Sequence, residues 1–542
     1  MEAVDHANED DPLKRLEDRA ETGTAQSSTE LKKNYNPVLS LSKLTHWRTA
    51  VFFFSLFLCL TIVFAFSFII PCPVRPQYLS TWNRTYNDAA TYDFLAIQDS
   101  NRDKVRDILF IVRASEGTQN NTCTAEGLPS PCLFMMAVDG TDGTTLWEHP
   151  LKPEFHWAQC GLESETGRNW DCLLSHSDQI TAIDKYTGDV RWQQLWPSGS
   201  VLSVPDLDGD KVHDLALVAP GPTQTSLVFL CGKSGLQIGS AVVLNSSETG
   251  AHLLHSTKDG SYYVLLQKDT GLYGLALWRI AAQAKVGSKA RLKKDEHWES
   301  KANATSGLVP VYESDSVRYV QRMENIDEPS SLLLVTGDEV VMVGDNLQIL
   351  WRFQNSTVIS KPSFGHFNKD NNLDVVLEED AGNSTKREII LDGETGKVLW
   401  EVHLLDTPNS PRPDTVHTIN SFSVFMFWGI LRRPETNSSV QLTTDSHSYM
   451  LLPLHPNVLL ESTSVLDHII TFKATLLERG RHASYILLTG PEVNGAEGTV
   501  VLRKRKVKQD VPNSSVRCTD TGEFKEADNV KEDFNRLRFS EE

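Results

Sequence analysis

The chain has 542 residues but only one long apolar run, no excess of base and only eight cysteines. A single apolar run excludes a polytopic membrane protein. With 52 Lys+Arg against 71 Asp+Glu the formal net charge is −19, which excludes a nucleic-acid partner, because phosphate binding needs a basic face. Eight cysteines are too few for a small disulfide scaffold yet enough for local bridges. Neither H-E-x-x-H nor G-x-S-x-G occurs, and Cys231-Gly-Lys-Ser234 has Leu227 where a P-loop needs its first glycine. The 16 histidines show no metal-ligand spacing, and helical periodicity is almost missing from residues 90 to 500. No catalytic residue is assigned. What remains, at 40% hydrophobic and 23% charged residues, is an ordinary folded protein rich in strands.

The apolar run is Ala50–Ile70, uncharged, closed by Pro71 and long enough to cross a bilayer as a helix. Because 49 polar-rich residues precede it, it reads as an uncleaved signal anchor. Lys32, Lys33, Lys43 and Arg48 precede the span and only Arg75 and Arg84 follow closely, so the N-terminus is expected in the cytoplasm. The glycosylation acceptors Asn83, Asn120, Asn245, Asn303, Asn355, Asn383, Asn437 and Asn513 all follow the span, which agrees. The expected organisation is a disordered cytoplasmic tail (1–49), the anchor (50–70), a stalk (71–90), a folded ectodomain (91–505) and a C-terminal tail (506–542) at the cell surface. The first 49 residues carry nine acids and seven bases and the span none, which leaves −17 of the −19 to the ectodomain. Tyr35-Asn-Pro-Val38 looks like a sorting signal but is too short to build on. Cys123 with Cys132 and Cys160 with Cys172 are close enough to bridge in an oxidising compartment, and Cys231, in the apolar run SLVFLC, reads as a buried free thiol. Cys72 and Cys518 stay open between free, lipidated at the membrane edge (Cys72) and interchain.

The most specific pattern is Asp206-Leu-Asp208-Gly-Asp210-Lys-Val-His-Asp214, followed by LALV. Carboxylates at positions 1, 3, 5 and 9, with a carbonyl from Val212, aim hard oxygen donors at one point, as Ca²⁺ requires. An EF-hand is excluded, since Lys211 and Leu217 stand where it needs glycine and glutamate, and the flanks read as strands. A second copy is Asp99-Ser-Asn101-Arg-Asp103-Lys-Val105-Arg-Asp107. In a third, Asn368, Asp370 and Asp374 remain but His366 replaces the first carboxylate. A fourth, around Asn325 and Asp327, keeps only positions 3 and 5 and reads as a metal-free turn. The alternative for every copy is that the aspartates cap backbone amides and bind no ion.

A second motif is Asp139-x-x-x-Gly143-x-x-x-Trp147, repeated as Asp184, Gly188 and Trp192 and as Asp392, Gly396 and Trp400, with a weaker form from Met342 to Trp351. Each reads as a hairpin ending in an aromatic that packs on its neighbour. Asp139 and Asp184 are 45 residues apart, a spacing that belongs to β-propeller blades. The fold class is therefore all-β, one propeller of about seven blades behind one transmembrane helix. The aspartate loops resemble the FG-GAP repeats of integrin α-subunits, and the hairpins resemble those of quinoprotein alcohol dehydrogenases, although the adjacent cysteine pair of the latter is missing. The combination behind an N-terminal anchor resembles the family with sequence similarity 234. That resemblance implies a cell-surface FG-GAP-like propeller with no well-defined molecular function. Residues 235–310 and 405–500 match the motifs poorly.

Arg503-Lys-Arg-Lys506 reads as a solvated tail segment beyond the last strand, and Val530, Phe534 and Leu537 predict a short covering helix over Glu526 to Phe539. The leading functional expectation is a non-enzymatic recognition or adhesion platform with structural Ca²⁺ and an unidentified protein partner at the cell surface. Oligomers, disulfide-linked or not, are left open. The rivals are a lumenal or extracellular hydrolase or lyase working in the propeller channel, and a trafficking partner of other membrane proteins.

Overall fold

The computed structural model describes residues 41–69, 81–118, 121–161, 171–196, 199–219, 224–244, 251–268, 270–287, 292–324, 330–370, 372–405, 407, 410–431, 447–462, 468–478, 480–492, 497–519 and 527–540. The chain divides into two compact units, residues 1–77 and 78–542. The first holds one helix, Leu41–Ile69, whose side chains from Trp47 to Ala65 are exposed and, beyond Arg48, uncharged and mostly apolar on all sides. It is long and apolar enough to cross a membrane.

The second unit is a β-propeller. Its described residues form six antiparallel sheets, four of four strands, one of seven and one of nine; divided where Trp82–Gln98 changes partner and between Val398–Leu405 and Ser423–Leu431, they group into eight four-stranded blades, over residues 89–151, 155–195, 200–244, 251–312, 319–354, 363–405 and 414–461, with the eighth drawn from both ends of this unit. The strand Trp82–Gln98 belongs to two of these groups: Trp82 to Ala89 pair with Lys504 to Gly498 of the last blade, and Ala89 to Gln98 pair with Ala114 to Asp107 of the first. The strand thus closes the ring and begins inside the segment expected to be a stalk. The middle strands, such as Asp107–Ala114 and Asp214–Ala219, are buried along nearly their whole length because neighbouring blades cover both faces. Outer strands such as Val398–Leu405 are more exposed. The blade over 251–312 escapes the hairpin motif because the helices Leu277–Gln283 and Glu296–Lys301 separate its last two strands. These two helices were not expected.

The tryptophan hairpins bolt several blades to the next. Trp147 Nε1 donates to Lys185 O at 2.9 Å, Trp192 Nε1 to Gly232 O at 2.9 Å, and Trp351 Nε1 to Gly393 O at 2.9 Å. Each acceptor lies in the hairpin turn of the following blade. The glycine of that turn then lies flat on the indole: Cβ atoms added to Gly188, Gly235 or Gly396 would come within 2.6 Å of the Trp147, Trp192 and Trp351 rings. All three glycines have φ between +69° and +76°, so glycine is required by backbone and by contact alike. Trp82 sits in the same way against Gly143 and closes the ring with a longer bond to Gly140 O, 3.4 Å.

The C-terminal segment is part of the propeller body, not a free tail. Ser515–Cys518 adds a fifth strand beside Val458–Glu461. The helix Ala527–Arg536, within the expected span, buries Val530 and Phe534 against the seventh and eighth blades, among Trp428, Phe472 and Tyr485. The Arg503–Lys506 cluster lies inside the strand Gly498–Lys506, where Lys504 is fully buried and its Nζ meets Glu478 Oε1 and Gly140 O, each at 2.6 Å. A buried lysine is tolerated there because a carboxylate and a carbonyl share its charge.

Candidate functional site

In the first, third and sixth blades the chain leaves the innermost strand through an aspartate loop. In the loop from Asp206, the position-one carboxylate accepts the N–H of Gly209 at 2.6 Å and of Lys211 at 2.7 Å, and Asp210 Oδ1 accepts that of Val212 at 2.9 Å. The loop from Asp99 repeats this scheme: Asp99 accepts from Arg102 and Lys104, and Asp103 accepts from Val105. Positions four and six are left-handed in both, at Arg102 and Lys104 and at Gly209 and Lys211, which is why a glycine suits position four. The aspartates therefore cap backbone amides, and they also converge in the third loop, where Asp370 and Asp374 meet Asp392, and in the Asp206 loop. Asp206, Asp208 and Asp210 offer oxygens within 4.8 Å of one another, and so do Asp208 and Asp214 together with the Cys231 thiol. This donor set fits a hard divalent cation, with the Cys231 sulfur at its edge.

Position nine does a different job from the others. Asp107, Asp214 and Asp374 are fully buried, and each carboxylate spans two backbone amides. One is the position-two N–H of its own loop, at 2.7 Å from Ser100, Leu207 and Phe367. The other is the hairpin-turn N–H of the same blade, from Gly140 at 2.9 Å, Gly232 at 3.1 Å and Gly393 at 3.1 Å. Burial raises these carboxyls to about 7, 7 and 6, with the two amide bonds opposing it. The aspartate loop and the tryptophan hairpin, read separately from the sequence, are thus two ends of one device.

That link brings in residues the loop motif alone does not contain. The turn's first residue is Asp139, Cys231 or Asp392, and it faces position three. Where position three is asparagine the turn residue is aspartate: Asn101 Nδ2 donates to Asp139 and Asp103 at 3.1 and 3.2 Å, and Asn368 Nδ2 donates to Asp392, Asp370 and Asp374 at 3.1, 2.8 and 3.4 Å. In both loops an amide N–H stands among the carboxylates as a cation would. Where position three is Asp208 no side-chain amide stands among the carboxylates, although the Asp210 N–H donates to Asp208 Oδ1 at 3.1 Å, and the turn residue is Cys231, whose thiol lies 3.5 Å from Asp210 Oδ2. Cys231 is a buried free thiol, as expected, but it lies at the loop rather than in an inert core. His366, at position one of the third loop, turns its Nδ1 to Asn372 O at 2.8 Å. The fourth loop, around Asn325 and Asp327, lies outside the described residues.

The family model described as FAM234A/B beta-propeller matches residues 82–540. The chain belongs to the FAM234 family. It is 34% identical to rat Protein FAM234A over the whole of both chains and 34% identical to the human FAM234A over 98% of each. Human FAM234B is 29% identical over 86% of this chain and 78% of that one, so the A branch is the nearer of the two. Among solved structures, the WD40 domain of SCAP from fission yeast covers 78% of this chain and 98% of its own, at 11% identity and a TM-score of 0.42.

On this FAM234 propeller the disulfides Cys123–Cys132 and Cys160–Cys172 are both formed, as the spacing predicts. Cys518 is a free thiol, and Cys72 lies outside the described residues. Asn83, Asn303, Asn355, Asn383 and Asn513 are exposed, whereas Asn120, Asn245 and Asn437 lie outside the described residues.

Proposed function

We propose that this FAM234 protein is a non-enzymatic, single-pass type II glycoprotein of the cell surface whose calcium-braced propeller serves as a rigid platform for protein recognition. The observation that carries the reading is the third blade. Asp206, Asp208 and Asp210 gather there, and Asp208 meets Asp214 and the Cys231 thiol, with no asparagine side chain among them, on a loop whose ninth residue is tied to the blade's outer turn. Asp206, Asp208, Asp210 and Asp214, with the Val212 carbonyl, would hold the ion, and calcium when bound supplies the charge that offsets their mutual repulsion. Asp99, Asn101, Asp103 and Asp107 with the Val105 carbonyl would form the next site, and Asn368, Asp370 and Asp374 a weaker one, each once its asparagine turns its side-chain oxygen, in place of the N–H, to the ion. The flanking charges of the anchor, the two disulfides and the exposed sequons support an extracellular propeller.

Adding a calcium chelator to the full-length protein lowers its melting midpoint, and Asp210→Ala lowers the midpoint in calcium while abolishing most of the chelator's effect. Identical melting curves with and without chelator would remove the bracing role. For orientation, peptide N-glycosidase treatment of protein from intact cells increases its gel mobility, and surface biotinylation labels it. A chain insensitive to both would overturn the type II placement.

A further inference from the structure

The molecule carries a net charge of −19, yet one concavity in it runs against that sign. A cavity of about 500 Å³ lies between the innermost strands of the sixth, seventh and eighth blades, Ser363–Gly365, Asp414–His417 and Ile469–Thr475. Its wall carries Arg106, Lys361, Arg412 and Lys473 against a single carboxylate, Asp414. That carboxylate is already engaged: Asp414 Oδ1 meets Lys473 Nζ at 3.2 Å, and Oδ2 accepts the Ala474 N–H at 2.8 Å. Among the described residues, Lys361 and Arg412 have no carboxylate within ion-pair distance. Both are exposed to solvent. Desolvation, with the Arg412 charge adding to it, lowers the Lys361 ammonium from its usual value.

We propose that this cavity is a binding site for a compact multivalent oxyanion, a small molecule bearing two or more carboxylate or phosphate oxygens, with Lys361 and Arg412 as its main ligands. Low-dielectric walls lined by one sign of charge focus the field and concentrate counter-ions, and the guanidinium of Arg412 offers the paired donors that oxyanions accept. Gln321, from the innermost strand of the fifth blade, adds a polar group to the wall. Arg106 and Leu373, each the residue before position nine of an aspartate loop, also line the wall, whereas Lys361 and Arg412 lie outside those loops.

The test is isothermal titration of full-length protein in detergent with inorganic phosphate and, separately, succinate, against chloride at equal ionic strength. Saturable binding of at least one anion is expected, with a Kd at or below about 1 mM. In Lys361→Met/Arg412→Met that affinity falls about tenfold or more, while the melting midpoint without anion holds or rises because the repelling pair is gone. No saturable binding of either anion to the wild type, or equal affinity in the double variant, overturns the proposal. Ser540 also lines the cavity, and Glu541 and Glu542 follow it in sequence. Binding is therefore repeated in Glu541→Gln/Glu542→Gln: unchanged affinity supports an external ligand, and binding that appears only in this variant overturns it by assigning the cations to the chain's own carboxylates.

Discussion

Replacing Trp351 with alanine is expected to lower the melting midpoint of the propeller sharply, by the equivalent of about 3–5 kcal/mol, the usual cost of truncating a buried aromatic. The indole belongs to the outer strand Ile349–Gln354 of the fifth blade but packs among Val375, Leu377 and Leu391 of the sixth. Its N–H satisfies Gly393 O, so the truncation opens a cavity and leaves a carbonyl without its donor. Gly396→Ala should hurt by a related route, because its φ is +69° and the new Cβ would meet the ring at 2.6 Å. The two effects share an atom pair and so cannot add. With the ring removed, alanine at 396 keeps only the left-handed backbone cost, about 1–2 kcal/mol, and Trp351→Ala/Gly396→Ala should be clearly less damaged than the sum of the single variants. Additive melting shifts would mean that the glycine and the indole do not form one joint.

The same contacts show what the sequence displays and what it hides. The loops and hairpins were legible because each is a local pattern of residue types whose chemistry forces a turn: alternating carboxylates that cap amides, and glycines where φ is positive. Their union was not legible, because the contacts join residues far apart in sequence, Asp107 to Gly140 and Asp214 to Gly232. The eighth blade was hidden for the same reason. Its outer strand begins at Trp82 and its other three lie beyond residue 468, so no window of sequence contains it. Arg503–Lys506 misleads by composition. Four consecutive bases look solvated, but in a strand alternate residues face opposite ways, and the partner that permits Lys504 to be buried, Glu478, lies on a separate stretch of chain. The helix over Ala527–Arg536 was readable because its apolar spacing is local. The aspartate loops were found, but the exchange of Asn101 and Asp139 for Asp208 and Cys231 emerges only when the turn residue is placed opposite position three.

The second large effect lies in the sixth blade, and it separates two carboxyls that look equivalent. Lys386 is 1% exposed, and its Nζ lies 2.6 Å from Glu378 Oε1 and 3.2 Å from Glu388 Oε1, on side chains 6% and 0% exposed. Glu378 and Glu388 stand directly opposite each other on adjacent strands. One ammonium cannot neutralise two buried carboxylates at once. Burial pushes Glu388 up to about 8, with Lys386 only partly opposing, so at pH 7 Glu388 keeps its proton and the charged pair is Lys386 with Glu378. Lys386→Met strands the Glu378 charge in the core and should cost about 3–5 kcal/mol, whereas Glu388→Gln, which mimics the protonated acid, should cost under about 1 kcal/mol. The pH dependence follows with a definite sign. A carboxyl whose folded value is raised stabilises fully below its unfolded value, near 4.5, and loses that contribution as pH rises towards 8. The wild-type melting midpoint should therefore fall across that window more steeply than the midpoint of Glu388→Gln. Parallel profiles for the two proteins, or a Glu388→Gln variant as unstable at pH 7 as Lys386→Met, would show that Glu388 is ionised in the folded blade and that Lys386 holds both carboxylates.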